Sequence, residues 1–390
     1  MKNSVEDKKV KVSAISLERL ERIVNGEEDW FLLDVRNDID FDRWKIEGKK
    51  TPETLNIPYF DFFDNEDEQI RKIPKDKPVL VVCAKGDSSE FVADILNRKG
   101  LKACNLRGGI VAWGDYYEHK PVPGYGNRAA GDLLLQINRV AKGCLSYMLI
   151  SGGEAVVVDA SRHIQTYLDL AREHRAVITR VLDTHLHADH ISGGPALAEA
   201  ANAKYYIQKA DTEDAPLSRI PLRDGEVFQI GESRMEVIAH LLPGHTPGST
   251  SFLVDHQFLL SGDTLFVHGV GRPDLGGKVE EWARMLYDSL FRKLSRYSED
   301  LVVLPAHYAG PAEMDEQGLV MGSLAKLREK NPALQAGSEE AFVRYIRGQI
   351  KSQPDIYQDI RLVNLKKKEI DEETASEMEL GKNECAASPH

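Results

Sequence analysis

Cysteine is scarce in this chain: four in 390 residues, at positions 83, 104, 144 and 385. They form no CxxC pair and no evenly spaced framework, which excludes a disulfide-stapled secreted scaffold. An excess of positive charge is also missing. Lys and Arg total 50 against 62 Asp and Glu, a net charge of −12. With no basic stripe to hold phosphates, nucleic-acid binding is not expected. No apolar run approaches the ~18 residues of a membrane span, so no membrane partner is expected. The opening MKNSVEDKKV lacks the apolar stretch of a secretory signal. A reducing, cytoplasmic location is therefore the expectation. What is present is ample: at ~100–200 residues per domain, the length predicts two or three domains, each able to bury its own core.

The first part alternates strand and helix. Ser16 can cap a helix that carries Leu17, Leu20 and Ile23 on one face. WFLLDV (30–35) and PVLVV (78–82) are apolar runs of strand length. Residues 88–99 read as a helix with Phe91, Ile95 and Leu96 along its apolar stripe, stopped by Gly100. Residues 103–106 read as a further strand. This order predicts a small parallel α/β domain over 13–119. Residues 120–131 are rich in Pro and Gly and read as a linker. Strands are expected at 133–138, 145–150 and 155–159, then a helix at 164–174, opening a larger layered α/β domain over 132–315. Residues 316–390 read as a helical extension with amphipathic helices at 323–330, 338–352 and 355–364. Its charged end, from Lys366, is expected to fray.

The strongest chemical signal is THLHADH (184–190), where His185, His187, Asp189 and His190 offer four ligands within six residues. Imidazoles with a carboxylate suit Zn, Fe or Mn. The cluster follows the β-branched run VITRVL (177–182), so it lies where a strand ends. The same grammar recurs three times: MEVIA (235–239) leads to His245, FLL (258–260) to Asp263, and LVVL (301–304) to His307. In open α/β architectures such loop edges gather in one crevice, so seven ligand-type side chains can meet. A second signal is Cys83, at the end of PVLVV and just before a helix. Backbone N–H groups at a helix start favour an anion, and a thiolate there can attack and carry sulfane sulfur. The alternative is a small buried hydrophobe at a strand end. Arg272 reads either as an anion contact or as the ion-pair partner of Asp274. Cys104 and Cys144 read as packing residues, and Cys385, in the tail, has no visible role.

The motifs HLHADH, GHTPGS, GDTLF and PAH, in that order, make residues 132–315 resemble the metallo-β-lactamase superfamily. The resemblance implies an αββα sandwich and a bound metal, without implying one reaction. Similarity to glyoxalase II would imply two Zn²⁺: His185, His187 and His245 on one, Asp189, His190 and His307 on the other, and Asp263 bridging. A shared hydroxide would then attack a thioester. Similarity to the persulfide dioxygenases would imply one Fe(II) per chain on His185, His245 and Asp263, with positions open for O₂ and a sulfur substrate. GHTPGS with GDTLF and GVGRPDL (269–275) looks most like this second branch, although Pro273 replaces the usual Thr and Val270 stands where some relatives have Cys. Residues 13–119 resemble a single rhodanese domain through LDVR (33–36), NIP (56–58), the Cys83 loop, LRGG (106–109) and AW (112–113). Asp87 stands where many active members carry Arg, so a low-molecular-weight persulfide is a better expected donor than thiosulfate. The Gly-His-Ile turn common in that family is altered around 44–48.

The expectation is thus an α/β chain in two parts, a rhodanese-like domain and a metallo-β-lactamase sandwich. It would oxidise a persulfide such as glutathione persulfide with O₂ to sulfite and thiol, with Cys83 moving sulfane sulfur and Arg272 touching the substrate. Joining the domains would raise the effective concentration of shared intermediates. A homodimer through helical faces in 323–364 is a further expectation. The alternative is a two-zinc thioester hydrolase behind a non-catalytic rhodanese-like binding module.

Overall fold

Short runs that are apolar on both faces become parallel strands covered on both sides. In the computed structural model, which describes residues 12–126, 131–213, 215–238, 243–350 and 352–387, two such systems form. One compact unit extends to Tyr116 and includes Val140–Lys142; the other holds Tyr117–Arg139 and everything from Gly143.

The first unit has strands β1 (Ser13–Ile15), β2 (Phe31–Asp34), β3 (Thr54–Asn56), β4 (Val79–Val82) and β5 (Ala103–Leu106), all parallel, in the order β1-β5-β4-β2-β3. Alternate residues of one strand serve opposite faces. Phe31, Leu33, Val79 and Val81 pack with Val92, Ile95 and Leu96 on one side, and Leu32, Leu80 and Val82 pack with Leu20, Ile23 and Trp113 on the other. Ser16 caps the helix Leu17–Val24 by accepting from Arg19 N–H at 3.4 Å. The helix Asp87–Arg98 buries Val92, Ile95 and Leu96, while Phe91 is 38% exposed. The buried stripe therefore runs through residue 92 and not 91.

The second unit is the expected sandwich. Its first sheet contains β6 (Tyr117–Pro121), β7 (Leu133–Arg139), β8 (Cys144–Ser151), β9 (Glu154–Val158), β10 (Val177–Leu182), β11 (Lys204–Ile207) and β12 (Ile220–Pro221), side by side in reverse chain order. The second contains β13 (Val227–Ile230), β14 (Ser233–Ile238), β15 (Ser251–Val254), β16 (Phe258–Gly262), then β18 (Val302–Pro305) and β19 (Gly322–Ser323). Leu145, Val156, Val158 and Leu182 from one sheet meet Met235, Phe252, Leu260 and Leu304 from the other. The outward residues of the first sheet carry the helices Gln165–Glu173 and Gly194–Ala200. Those of the second carry Val279–Tyr287, Leu324–Lys330 and Glu339–Gln349.

Two details differ from the sequence reading. Lys120 and Pro121, read as the start of a linker, end β6, which pairs antiparallel with β7; residues 127–130 of that stretch lie outside the described residues. The end of the chain does not fray over its described part. Glu372–Met378 is helical, and β20 (Ala386–Ala387) pairs with β17 (Val270–Gly271). Ala375, Met378 and Cys385 are buried against Tyr357, Ile360 and the ligand-loop residues Ala188 and Ile191. Most of the charges that suggested fraying face outward, Glu379 being the buried exception, while this thin apolar stripe holds the segment down. Among the described residues no helix is long and apolar enough to cross a membrane.

Candidate metal centre

Parallel neighbours end on the same edge of a sheet. β9 and β10 are parallel, so Asp159 and the 183–190 loop emerge together. β16 and β18 are parallel, so Asp263 and His307 do too. β8 runs antiparallel to β9 and therefore begins at that edge, with Cys144. A bridge between Cys144 and His307 joins the two sheets there. The seven expected ligands are all buried, His190 being the most exposed at 3%. Three side chains of distant origin pin their loops. Asp211 accepts from Leu186 N–H, Thr246 Oγ1 and Gly248 N–H at 2.7–3.0 Å. Asn364 donates to the carbonyls of His187 and His190, both at 2.9 Å. Glu379 accepts from Ile191 N–H at 2.6 Å.

Within this edge the donors sort into groups. His185, His245 and Asp263 offer atoms that all lie within 4.8 Å of one another. His185 Nε2 is 3.7 Å and His245 Nε2 3.4 Å from Asp263 Oδ2, and all three atoms are buried without a hydrogen-bond partner. Buried polar atoms are rarely left unpaired, so three that converge are the signature of ligands. Their partners on the far side fix the tautomers. Thr184 Oγ1 spends its proton on Asp159 Oδ2 at 2.9 Å and so accepts from His185 Nδ1 at 2.8 Å. The Nε2 lone pair of His185 is thereby left bare. His245 Nδ1 donates to the carbonyl of Arg272 at 2.9 Å, with the same result. That approach needs Gly271, where a Cβ would collide with the Asp263 carbonyl and press on His245 Nδ1.

A second group unites Cys144, Asp189, His190 and His307, again within 4.8 Å. His307 connects the groups: Nδ1 meets Asp263 Oδ1 at 2.6 Å and Nε2 meets Asp189 Oδ2 at 3.0 Å. His187 lies between the groups, its ring 4.4 Å from that of His185 and 4.3 Å from that of His190 and its buried Nδ1 without a hydrogen-bond partner, but it shares a donor group with neither. Its Nε2 bonds Asp159 Oδ1 at 3.2 Å, and it groups with Asp159 and Asp183.

Electrostatics follow the grouping. Burial, reinforced by His187, pushes His185 well below its ordinary value, and burial likewise lowers His245. Both are neutral and hold free lone pairs. Burial alone would raise Asp263, but His307, whose imidazole faces it at 2.6 Å, leads the opposing effect and keeps the carboxylate ionised. The same contest, settled by His307 and His190, holds Asp189 well below the usual carboxylate range. Burial opposes charge on His187, yet Asp159 overrides it and raises the imidazole to about 9.

Cys83 lies in the first unit, at the end of β4, 5% exposed. Gly86 N–H donates to its Sγ at 3.1 Å, and Ser89 Oγ lies at the same distance. The Cys83 and Ala84 carbonyls accept from Ile110 and Val111 N–H, which seats the loop on the turn at Gly108–Gly109. Gly109, at φ +63°, has no room for a Cβ beside those carbonyls. Asp87 is exposed at the helix start.

Arg272 is not presented to an anion. Its Nε and Nη2 hold Asp274 at 2.7 Å each, and Nη1 reaches the Glu384 carbonyl. Both edges of the fork are engaged, so its contribution to the site is the backbone carbonyl on His245. Sequence reasoning missed Asp159, Cys144 and Cys385. Cys385 is fully buried and offers a donor beside Asp263 and His307. Asp159 carries a readable signal, an acid directly after an apolar strand; the two thiols carry none.

The comparisons agree with this anatomy. Residues 139–307 match the metallo-beta-lactamase superfamily and residues 16–116 the rhodanese-like domain. The mitochondrial persulfide dioxygenase ETHE1 of Homo sapiens is 30% identical over 228 residues, covering 56% of this chain and 82% of that one. A hydroxyacylglutathione hydrolase of Anaeromyxobacter dehalogenans is 31% identical over 215 residues, covering 54% and 80%. Among solved structures, ETHE1 from Myxococcus xanthus aligns with a TM-score of 0.52 at 26% identity, over 60% of this chain and 99% of that one.

Proposed function

Because this chain belongs to the metallo-β-lactamase superfamily and carries a rhodanese-like domain ahead of that fold, we propose that it is a persulfide dioxygenase with a sulfur-transfer site. The persulfide R–S–SH, O₂ and one water give R–SH, sulfite and two protons. One observation carries this reading: two neutral imidazoles and one carboxylate oxygen converge with no other partner, while the second oxygen of Asp263 is held by His307. Two His and one carboxylate are the donor set of non-heme iron oxygenases. Fe(II) held by His185, His245 and Asp263 would supply coordination for O₂ and sulfur side by side. The chain's own work is to keep those donors aimed. Thr184 and Asp159 hold the His185 tautomer, the Arg272 carbonyl holds that of His245, and burial keeps bulk water from the reacting sulfur. In the rhodanese-like domain, the Cys83 thiolate attacks the outer sulfur of a persulfide, forming Cys83–S–SH and releasing R–S⁻. The Gly86 N–H, which donates to Cys83 Sγ, would stabilise the attacking thiolate.

A hydrolase reading has its own support, since the second donor group lies beside the first and a hydroxyacylglutathione hydrolase is a relative of equal similarity. One experiment separates them: metal analysis of protein purified without added metal, with O₂ uptake on glutathione persulfide. The dioxygenase reading expects one iron per chain and persulfide-dependent O₂ uptake. Two zinc ions per chain with thioester cleavage and no O₂ uptake would overturn it.

A further inference from the structure

β2, β3 and β4 of the rhodanese-like unit are parallel, so the segments that follow them emerge on one edge. Val35 N–H donates to the Val82 carbonyl at 2.8 Å and Tyr59 N–H to the Val35 carbonyl at 3.0 Å, which ties the three exits together beside Cys83. This rim bares apolar side chains to water. Ile39 after β2 is 76% exposed, Phe60 and Phe63 after β3 are 62% and 61% exposed, and Phe91 is exposed on the helix that follows Cys83. The rings are assembled rather than scattered. Phe63 stacks on Phe91 with centres 5.0 Å apart, and Tyr59 lies 4.0 Å from Phe60 and 6.2 Å from Phe63. Phe62 is the ring of this segment that enters the core, so Phe60 and Phe63 are free of that duty. An assembled aromatic shelf left in water marks an interaction surface.

The shelf carries charge of one sign. Asp61, Asp64, Asp87 and Glu90 are exposed around it, and among the described residues none of these four forms an ion pair. Asp87 lies one turn before Phe91, on the same face of its helix. Lys85 is the only cationic residue in 59–65 and 83–91, the two stretches that supply the shelf. Aromatic area ringed by unpaired carboxylates fits a surface that is apolar and basic. It disfavours a second copy of this chain, which is itself acidic at −12. Glutathione, an anion without a large apolar group, matches neither feature. We propose that this edge docks a basic segment of another protein and brings a cysteine of that segment to Cys83, so that sulfane sulfur passes from protein to protein. The inference rests on the sulfur-transfer reading of Cys83. In the step, the partner's thiolate attacks the outer sulfur of Cys83–S–SH. A new S–S bond forms, the old one breaks, and Cys83 leaves as its thiolate. The products are the partner's persulfide R–S–SH and Cys83–S⁻, with no net oxidation.

The test uses the full chain without O₂, loaded with sulfur from glutathione persulfide. The probes are two synthetic peptides of equal length with one cysteine each, flanked by Lys and Leu in one and by Glu and Leu in the other. Intact mass follows the loss of one sulfur from the chain. At low salt the Lys peptide is expected to discharge Cys83–S–SH at least ~10-fold faster than the Glu peptide, an advantage that shrinks as salt rises. Phe60→Ser with Phe63→Ser is expected to raise the half-saturating concentration of the Lys peptide at least ~5-fold, with discharge by glutathione unchanged. Asp64→Lys with Glu90→Lys is expected to reverse the preference. Labelled forms of the peptides with Ser in place of Cys, measured by anisotropy on the Cys83→Ser chain, read docking without any sulfur step and are expected to keep the same order. Equal rates and equal binding of the two peptides at low salt, or an unchanged half-saturation in the Phe60, Phe63 variant, would overturn the proposal. So would a concentration-dependent dimer of wild type that this variant abolishes, since a second copy would then cover the shelf. Failure to load Cys83 defeats the sulfur-transfer reading, and selective anisotropy then still upholds the docking surface. Normal loading with indifferent peptides defeats the docking surface alone.

Discussion

A neutral imidazole has one proton, and where it goes decides which nitrogen can hold a metal. At His185 the decision is made by Thr184, whose own proton is spent on Asp159. Thr184→Val removes that acceptor without changing size much, and Thr184→Ser keeps it. The valine variant is expected to bind metal ~10–100-fold more weakly, with serine close to wild type, by chelator competition. Equal affinity in the valine variant would mean that the tautomer is set elsewhere. Cys83 poses a separate question, because it is chemically independent of the metal donors. Cys83→Ser is expected to abolish sulfur transfer while O₂ uptake on preformed persulfide continues. Loss of both activities in a folded variant would argue against two sites.

At the scale of elements, the ligand loops are held by the segment that follows the sandwich. Glu379 is buried between Arg139 and Arg162, at 2.8 Å from each, and its other oxygen takes Ile191 N–H. Glu379→Ala would remove the buried carboxylate that both guanidiniums face, leaving Arg162 its contacts with Glu372 and Ser376. Breaking such a pair costs ~3–5 kcal/mol, which urea unfolding of the metal-loaded chain would register. A change below the error of that measurement would show that the segment is a passive cover. The same segment marks the limit of what the sequence discloses. Strands such as FLLD and VLVV and the HLHADH loop are legible because their signal is local: two-sided apolarity in one case, ligands packed within six residues in the other. Glu379 finds its partners 217 and 240 residues away. Nothing near it separates it from the surrounding surface acids. Cys144 and Cys385 escaped for the same reason, since each thiol comes to lie beside these His and Asp donors only when a distant strand end or chain end is brought there. Arg272 shows the reverse case: its charge is visible in sequence, and Asp274, two residues on, consumes it.

At the scale of the whole chain, the proposed function joins two chemistries that would share a persulfide, and the join itself makes a prediction. Tethering replaces a bulk encounter by one at an effective concentration that reaches the millimolar range for short flexible connections. The comparison needs no truncation. Cys83→Ser retains the metal donors, and Asp263→Asn retains the Cys83 loop, so an equimolar mixture of the two holds every working part on separate chains. With a sulfane-sulfur donor and glutathione kept scarce, wild type is expected to release sulfite without a lag, whereas the dilute mixture shows a lag that shortens as protein concentration rises. Matching time courses at every concentration would mean that the persulfide equilibrates with solvent before it is oxidised, and that the two domains share a chain without sharing an intermediate. A lag in the mixture that extra glutathione removes would identify the diffusing species as the thiol-borne persulfide. The covalent link would then act by raising local concentration, with no need for a channel.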